Sequence, residues 1–99
     1  MQNLFTYGSL QNPEIQQKLF NKILIGDPDT LVGYEKGKLD VEGKRFNIAL
    51  PNPEERIVGT IYQLTKEEIE RADRYEGKVY SRIKVKLLSG IYAWLYMRK

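Results

Sequence analysis

From residue 31 onward the apolar residues fall into short runs bounded by turn formers, and within these runs they occupy both parities rather than one. The runs 31–39, 46–50 and 57–64 are separated by Glu42-Gly43-Lys44 and by Pro51-Asn52-Pro53, and two more, 79–88 and 91–98, flank Ser89-Gly90. Apolar runs of this length with turn signals between them predict strands. A strand that is apolar on both faces must be covered on both. A sheet curled into a small barrel, with helices packed outside it, meets that demand in few residues. The expected fold class is α+β: a small mixed β-barrel with flanking short helices. Ninety-nine residues, 41 % of them hydrophobic, suffice for one such core and not for two, so residues 1–99 are expected to form a single domain.

Two helices have local start signals. Asn12 suits an N-cap, Pro13 the first helical position and Glu14 the positive helix end, and Ile15, Leu19 and Ile23 then recur on one face until Gly26-Asp27-Pro28-Asp29 breaks the pattern. The second helix, 66–75, is better marked: Thr65 and Glu68 form a capping box, and Leu64 with Ile69 the matching hydrophobic staple. Ahead of the first helix, residues 3–7 read as a strand, and Gly8-Ser9 turns the chain sharply. Pro51 and Pro53 place their connection at a sheet edge or outside any ladder.

A two-residue turn at Ser89-Gly90 would pair Leu88 with Ile91, Val85 with Trp94, Leu87 with Tyr92 and Ile83 with Tyr96. In that register the aromatic residues lie away from the basic stripe Arg82, Lys84 and Lys86. This argues against nucleic-acid binding, which combines cations with stacking rings on one surface. The net charge of +3, with thirteen acids interleaved, is more often a solubility feature. No stretch approaches the roughly 20 apolar residues of a membrane span, and no secretion signal is visible, so a cytoplasmic, soluble protein is expected, with no membrane partner. An exposed hairpin edge leaves room for a dimer; a monomer is the default expectation.

The chain contains no Cys and no His. A triad or dyad built on either residue and the usual zinc ligand sets are therefore excluded, and acid/base chemistry falls to carboxylate, Lys or Tyr. On the second helix Ile69, Ala72 and Glu76 share one stripe, so Glu76 continues the core-facing side. Burial there, at the negative helix end, would raise its pKa towards the range a base needs. The competing arrangement leaves Glu76 exposed just past the helix, or paired with Arg74 or Arg82. Asp73, a short acid before a Y-x-G turn, suits backbone hydrogen bonding. The turn Tyr7-Gly8-Ser9 between strand and capped helix can converge N–H groups on an anion, although Gly-Ser occurs in many turns for conformational reasons alone. Ser9 has no partner base of its own, and a Ser-Lys dyad has no motif behind it. Tyr7, Tyr75 and Tyr80 suit pocket walls.

Together, the opening F-x-Y-G-S-L at Phe5 to Leu10, V-G-T-I-Y at Val58 to Tyr62, the helix ending A-D-R-Y-E-G, Tyr80 with Arg82 and Val85, and the closing A-W-L-Y resemble the γ-glutamylcyclotransferase-like superfamily, in its small AIG2-like or bacterial-type form. The resemblance covers almost the whole chain. It implies a compact β-barrel whose pocket is lined by Tyr7, Gly8, Ser9 and Leu10, with Glu76 as the catalytic acid/base and Tyr80 in the same cavity. It also implies a small γ-glutamyl substrate, whose own α-amine attacks its γ-carbonyl to close 5-oxoproline and expel an amine. Such a reaction needs no metal and no cofactor. Backbone N–H groups at Gly8, Ser9 and Leu10 would hold the substrate carboxylate or the oxyanion. The chain departs from many relatives in carrying Gln11, where they place a basic residue after this run. The alternative is a non-catalytic domain on the same fold that binds a small metabolite.

Overall fold

The computed structural model describes residues 1–99. Five strands and two helices follow the chain in the order β1 (Gln2–Thr6), α1 (Pro13–Phe20), β2 (Asp27–Val41), β3 (Lys44–Leu64), α2 (Lys66–Glu76), β4 (Tyr80–Lys86) and β5 (Tyr92–Arg98), with a 3-10 turn at Ser9–Gln11 before α1. The strands form one sheet in the order β2-β3-β1-β5-β4. All neighbours are antiparallel except β1 and β5, which run parallel, so the sheet is mixed. It curls into a half-barrel with both helices on its outer face. Side chains alternate between two cores, as the period of two along a strand requires. Leu4, Tyr62, Leu64 and Tyr96 pack outward with Leu10, Phe20, Ile69 and Ala72 of the helical layer. Phe5, Ile57, Ile61, Ala93 and Leu95 pack inside the curl with Leu31, Ala49 and Leu87. No helix is long and apolar enough to cross a membrane.

The second helix forms as its caps dictate. Thr65 accepts from the Glu68 N–H, Glu68 accepts from the Thr65 N–H, and Leu64 and Ile69 are both fully buried. The first helix starts at its Asn12 cap and Pro13 but stops at Asn21, whose φ of 58° ends it in the left-handed region. Ile23, expected on its apolar face, therefore lies beyond the helix and is 61 % exposed, while Gln16 and Phe20 supply the buried face.

Two expected strands, 46–50 and 57–64, are one long β3. The prolines interrupt its pairing rather than the strand: Pro51 opposes Tyr34 and Arg56 opposes Val32, so residues 52–55 face only Gly33, at a bulge where Gly33 takes φ +90°. Pro28, expected in a breaker, sits in β2, an edge strand where a missing N–H is tolerated. Beyond the bulge, β2 and β3 continue as an arm, residues 34–41 and 44–51. It is closed by Glu42 and Gly43, both at positive φ, as a two-residue hairpin turn requires.

The β4–β5 register differs by one residue from the expected one. Val85 opposes Ala93, Lys84 opposes Trp94 and Arg82 opposes Tyr96. The turn contains three residues, Leu88-Ser89-Gly90: the Leu87 N–H donates to the Ile91 carbonyl, and Gly90 takes φ +92°. One extra residue moves every side chain of a strand to the other face. The basic residues thus share a face with the rings, with Arg82 and Lys84 lying 4.5 and 4.4 Å from the Trp94 ring centroid. The separation of rings from charges expected from sequence does not hold. The cations instead cap the indole face on which a base would stack.

The β4 side of the sheet meets the β2–β3 side through polar and ring contacts rather than a ladder. At one end the Leu88 N–H donates to the Thr30 carbonyl at 2.9 Å, and Ser89 bonds Asp29. At the other, Tyr80 at the start of β4 donates its hydroxyl to the Asn47 carbonyl in the arm, and the rings of Tyr80 and Phe46 meet edge-on, 6.1 Å between centroids.

Candidate active site

Between the arm, α2 and the loop after β1 lies a cavity of about 340 Å³. Its first wall depends on how β1 ends. Thr6 pairs with Thr60 and Phe5 with Ile61 across the ladder to β3. Next to them, Gly59 has no room for a side chain, because a Cβ there would lie 2.6 Å from the Thr6 carbonyl oxygen and 2.7 Å from the Phe5 ring. The chain then turns through Tyr7-Gly8 into the 3-10 turn, where the Gly8 and Ser9 carbonyls accept from the Gln11 and Asn12 N–H groups at 3.0 and 2.9 Å. Buried Gln16 clamps this loop, donating its amide to the Leu10 carbonyl and accepting from the Leu24 N–H, each at 2.9 Å. Gln11 donates to the Thr60 hydroxyl at 3.0 Å. The N–H groups that open a helical turn have no partner inside it and remain available.

The second wall is the end of α2. Glu76 is its last residue, before Gly77 at φ +65°. Its carboxylate faces the cavity and makes neither a hydrogen bond nor an ion pair with the protein. Burial alone pushes its pKa up to about 7. Arg82, a candidate partner for Glu76, binds Asp73 one turn earlier instead, donating from Nε at 2.7 Å and Nη2 at 3.0 Å. The Tyr96 hydroxyl donates to the same carboxylate at 2.8 Å. Burial pushes Asp73 up, but the bonds from Arg82 and Tyr96 and the charges of Arg82 and Arg74 outweigh it and hold the carboxyl below the usual range. Asp73 thus serves side chains rather than backbone. Two carboxylates of one helix end up in opposite states, one held ionised and one poised near neutrality.

The remaining walls carry rings and one strand segment. Tyr7, Ser9, Tyr75 and Tyr80 all line the cavity, and the Ser9 and Tyr75 hydroxyls share a hydrogen bond of 2.9 Å across its rim. Burial, followed by the nearby Glu76 charge and that of Tyr75, pushes Tyr80 up to about 12. Burial also raises Tyr7 strongly, with Tyr80 and Glu76 adding to it. Both phenols therefore stay neutral. Of the residues singled out from sequence, Tyr7, Gly8, Ser9, Glu76 and Tyr80 meet at this cavity. Leu10, expected in the lining, does not reach it: the whole residue is 2 % exposed, because its side chain packs into the outer core. Arg45, Phe46 and Asn47 of the arm form a wall that sequence reasoning missed. Only the approach of the arm to Tyr80 brings them there, and no local motif encodes that approach.

A family model described as "Gamma-glutamyl cyclotransferase, AIG2-like" matches residues 4–99, nearly the whole chain and every wall of this cavity. The chain belongs to the AIG2-like γ-glutamyl cyclotransferase family. It is similar to AIG2-like protein B of Arabidopsis thaliana, 30 % identical over 89 residues that make up 89 % of this chain and 51 % of the relative. AIG2-like protein A of the same plant is 27 % identical over 86 residues, 86 % of this chain and 51 % of that protein. The chain spans about half the length of these curated relatives. Among solved structures, one called "Gamma-glutamyl cyclotransferase" superposes with a TM-score of 0.85 at 18 % identity, over 99 % of this chain and 66 % of its own. The solution structure of an Arabidopsis thaliana protein gives a TM-score of 0.82 at 23 % identity, over 98 % of this chain and 68 % of the other. At such identities the superpositions establish a shared fold.

Proposed function

We propose that this protein is a cyclotransferase that converts the γ-glutamyl group of a small peptide or amine into 5-oxoproline and releases the amine, with Glu76 as general acid and base. The observation that carries this reading is a lone carboxylate, half-buried and unpaired, facing a cavity of small-molecule size. A base with a pKa of about 7 is matched to proton transfer at neutral pH. In the proposed sequence Glu76 takes a proton from the substrate's α-ammonium, and the freed amine attacks the γ-carbonyl carbon. Glu76 then returns the proton to the nitrogen that leaves as its bond to that carbon breaks. One C–N bond forms and one breaks; the attacking nitrogen sheds a second proton as the lactam forms, and the two protons lost by the α-ammonium end on the released amine, which leaves as an ammonium.

The nucleophile belongs to the substrate, so the absence of Cys and His is no obstacle. The protein's part is to fold the substrate into a cyclic conformation, and orienting an intramolecular attack can supply up to roughly 7 to 11 kcal/mol. Tyr7, held neutral, offers a donor without adding charge, while the Tyr80 hydroxyl is committed to the Asn47 carbonyl; the Gly8 and Ser9 N–H groups are assigned to the substrate carboxylate or the oxyanion.

The test is 5-oxoproline release from a panel of γ-glutamyl peptides and amines, comparing the native protein with Glu76→Gln. The native protein is expected to form product, and the variant to lose about a hundredfold or more while still binding substrate. No product from either folded protein would overturn the reading in favour of a metabolite-binding domain.

A further inference from the structure

Only two of the residues lining the cavity are charged, Glu76 and Arg45, and they sit at different depths. Glu76 is desolvated, whereas the Arg45 side chain is 70 % exposed at the rim. The arm places Arg45 there: Arg45 opposes Asp40 across the hairpin, and its Nε donates to Asp40 Oδ1 at 3.2 Å. That bond uses one of the five guanidinium N–H groups and leaves the two terminal nitrogens without a protein partner. Both side chains of the pair are well exposed, so the pairing is weak and steadies the guanidinium more than it occupies it.

We propose that Arg45 is a specificity-determining residue that binds an anionic group on the leaving half of the substrate. This rests on the cyclotransferase reading above. The α-ammonium and α-carboxylate of a γ-glutamyl group share one carbon, so delivering the ammonium to Glu76 keeps that carboxylate beside the end of α2 and the Gly8-Ser9 loop. The amine on the γ-carbonyl is the part of the substrate left to reach the arm, and the cation it meets there is Arg45. A leaving amine that carries a carboxylate, as an amino acid or peptide does, completes a charge-assisted and potentially bidentate contact there. One that ends in a carboxamide, an alcohol or a second ammonium gains nothing from Arg45 or is repelled by it.

A γ-glutamyl dipeptide and its C-terminal carboxamide separate the possibilities. Turnover is read as 5-oxoproline release by protein with Glu76 intact, and binding by calorimetry on Glu76→Gln. The carboxylate substrate is expected to be favoured by about tenfold, chiefly through KM. Arg45→Met should abolish that preference by weakening the carboxylate substrate alone, and Arg45→Lys should restore part of it. Equal treatment of the two substrates by the native protein, or a preference that survives Arg45→Met, would overturn the role of Arg45 while 5-oxoproline release kept the cyclotransferase reading in place. A preference in binding that depends on Arg45, with no 5-oxoproline from either substrate, would keep the contact and overturn the chemistry.

Discussion

Ionised Glu76 opposes folding, because its carboxylate loses water in the cavity and receives no hydrogen bond in return. Its folded pKa, raised from 4.5 to about 7, means that the native state holds the proton more tightly than the unfolded chain. Stability from this residue is therefore complete below pH 4.5 and falls as pH rises to about 7, by up to about 3 kcal/mol. Glu76→Gln should accordingly be more stable than the native protein at pH 8 and nearly equal to it at pH 4.5, which denaturant titrations at the two pH values would check. The catalytic dependence has the opposite direction: kcat/KM should climb with pH through about 7 as the base ionises, and a flat profile there would remove Glu76 from that role. Asp73, one turn earlier, behaves inversely. Its depressed pKa adds stability that is present above the ordinary aspartate value and is lost on acidification, so Asp73→Asn should destabilise at pH 7 by about 1 to 2 kcal/mol and narrow the acid limb.

At the level of elements, Gly59 shows how a strand fixes a loop some distance away. Gly59→Ala would drive a methyl group into the Thr6 carbonyl and the Phe5 ring, displacing the end of β1 and with it Tyr7 to Ser9. A stability loss of about 1 to 3 kcal/mol is expected, with turnover falling further than stability alone explains; thermal melts and assays on the same preparation would separate the two. The elements legible in the sequence were those whose signals are local. The capping box and staple of α2 lie within six consecutive residues, Leu64 to Ile69, and they placed Glu76 on the inner stripe. The β4–β5 register was not legible, because Ser89-Gly90 reads as a complete two-residue turn. Only the Leu87 to Ile91 bond reveals that Leu88 belongs to the loop. The end of α1 was hidden for a related reason: Ile23 continues the apolar spacing, while Asn21 adopts a left-handed conformation that spacing does not report. Arg45, Phe46 and Asn47 were invisible as site residues because their place depends on the bulge at Gly33 and on contact with Tyr80.

For the molecule as a whole, the curl is held at its two ends by Leu88 with Thr30 and by Tyr80 with Asn47, and the cavity wall depends on the second contact. Tyr80→Phe removes that hydroxyl while keeping the ring on Phe46. It should reduce global stability by only about 1 kcal/mol yet speed hydrogen exchange in the arm selectively, over residues 34–51; uniform acceleration across the sheet would contradict this. The strand order has a further consequence, in time rather than in space. β1, the earliest strand in the chain, sits at the centre of the sheet, with Leu4 beside Tyr62 on one flank and Trp94 on the other. Because β1 precedes both of its partners in the chain, one edge of this apolar strand stays unpaired until β3 has been made and the other until β5 has emerged from the ribosome. Folding limited by such distant pairings is slow, and a chain made only as far as β2 is the form most exposed to aggregation.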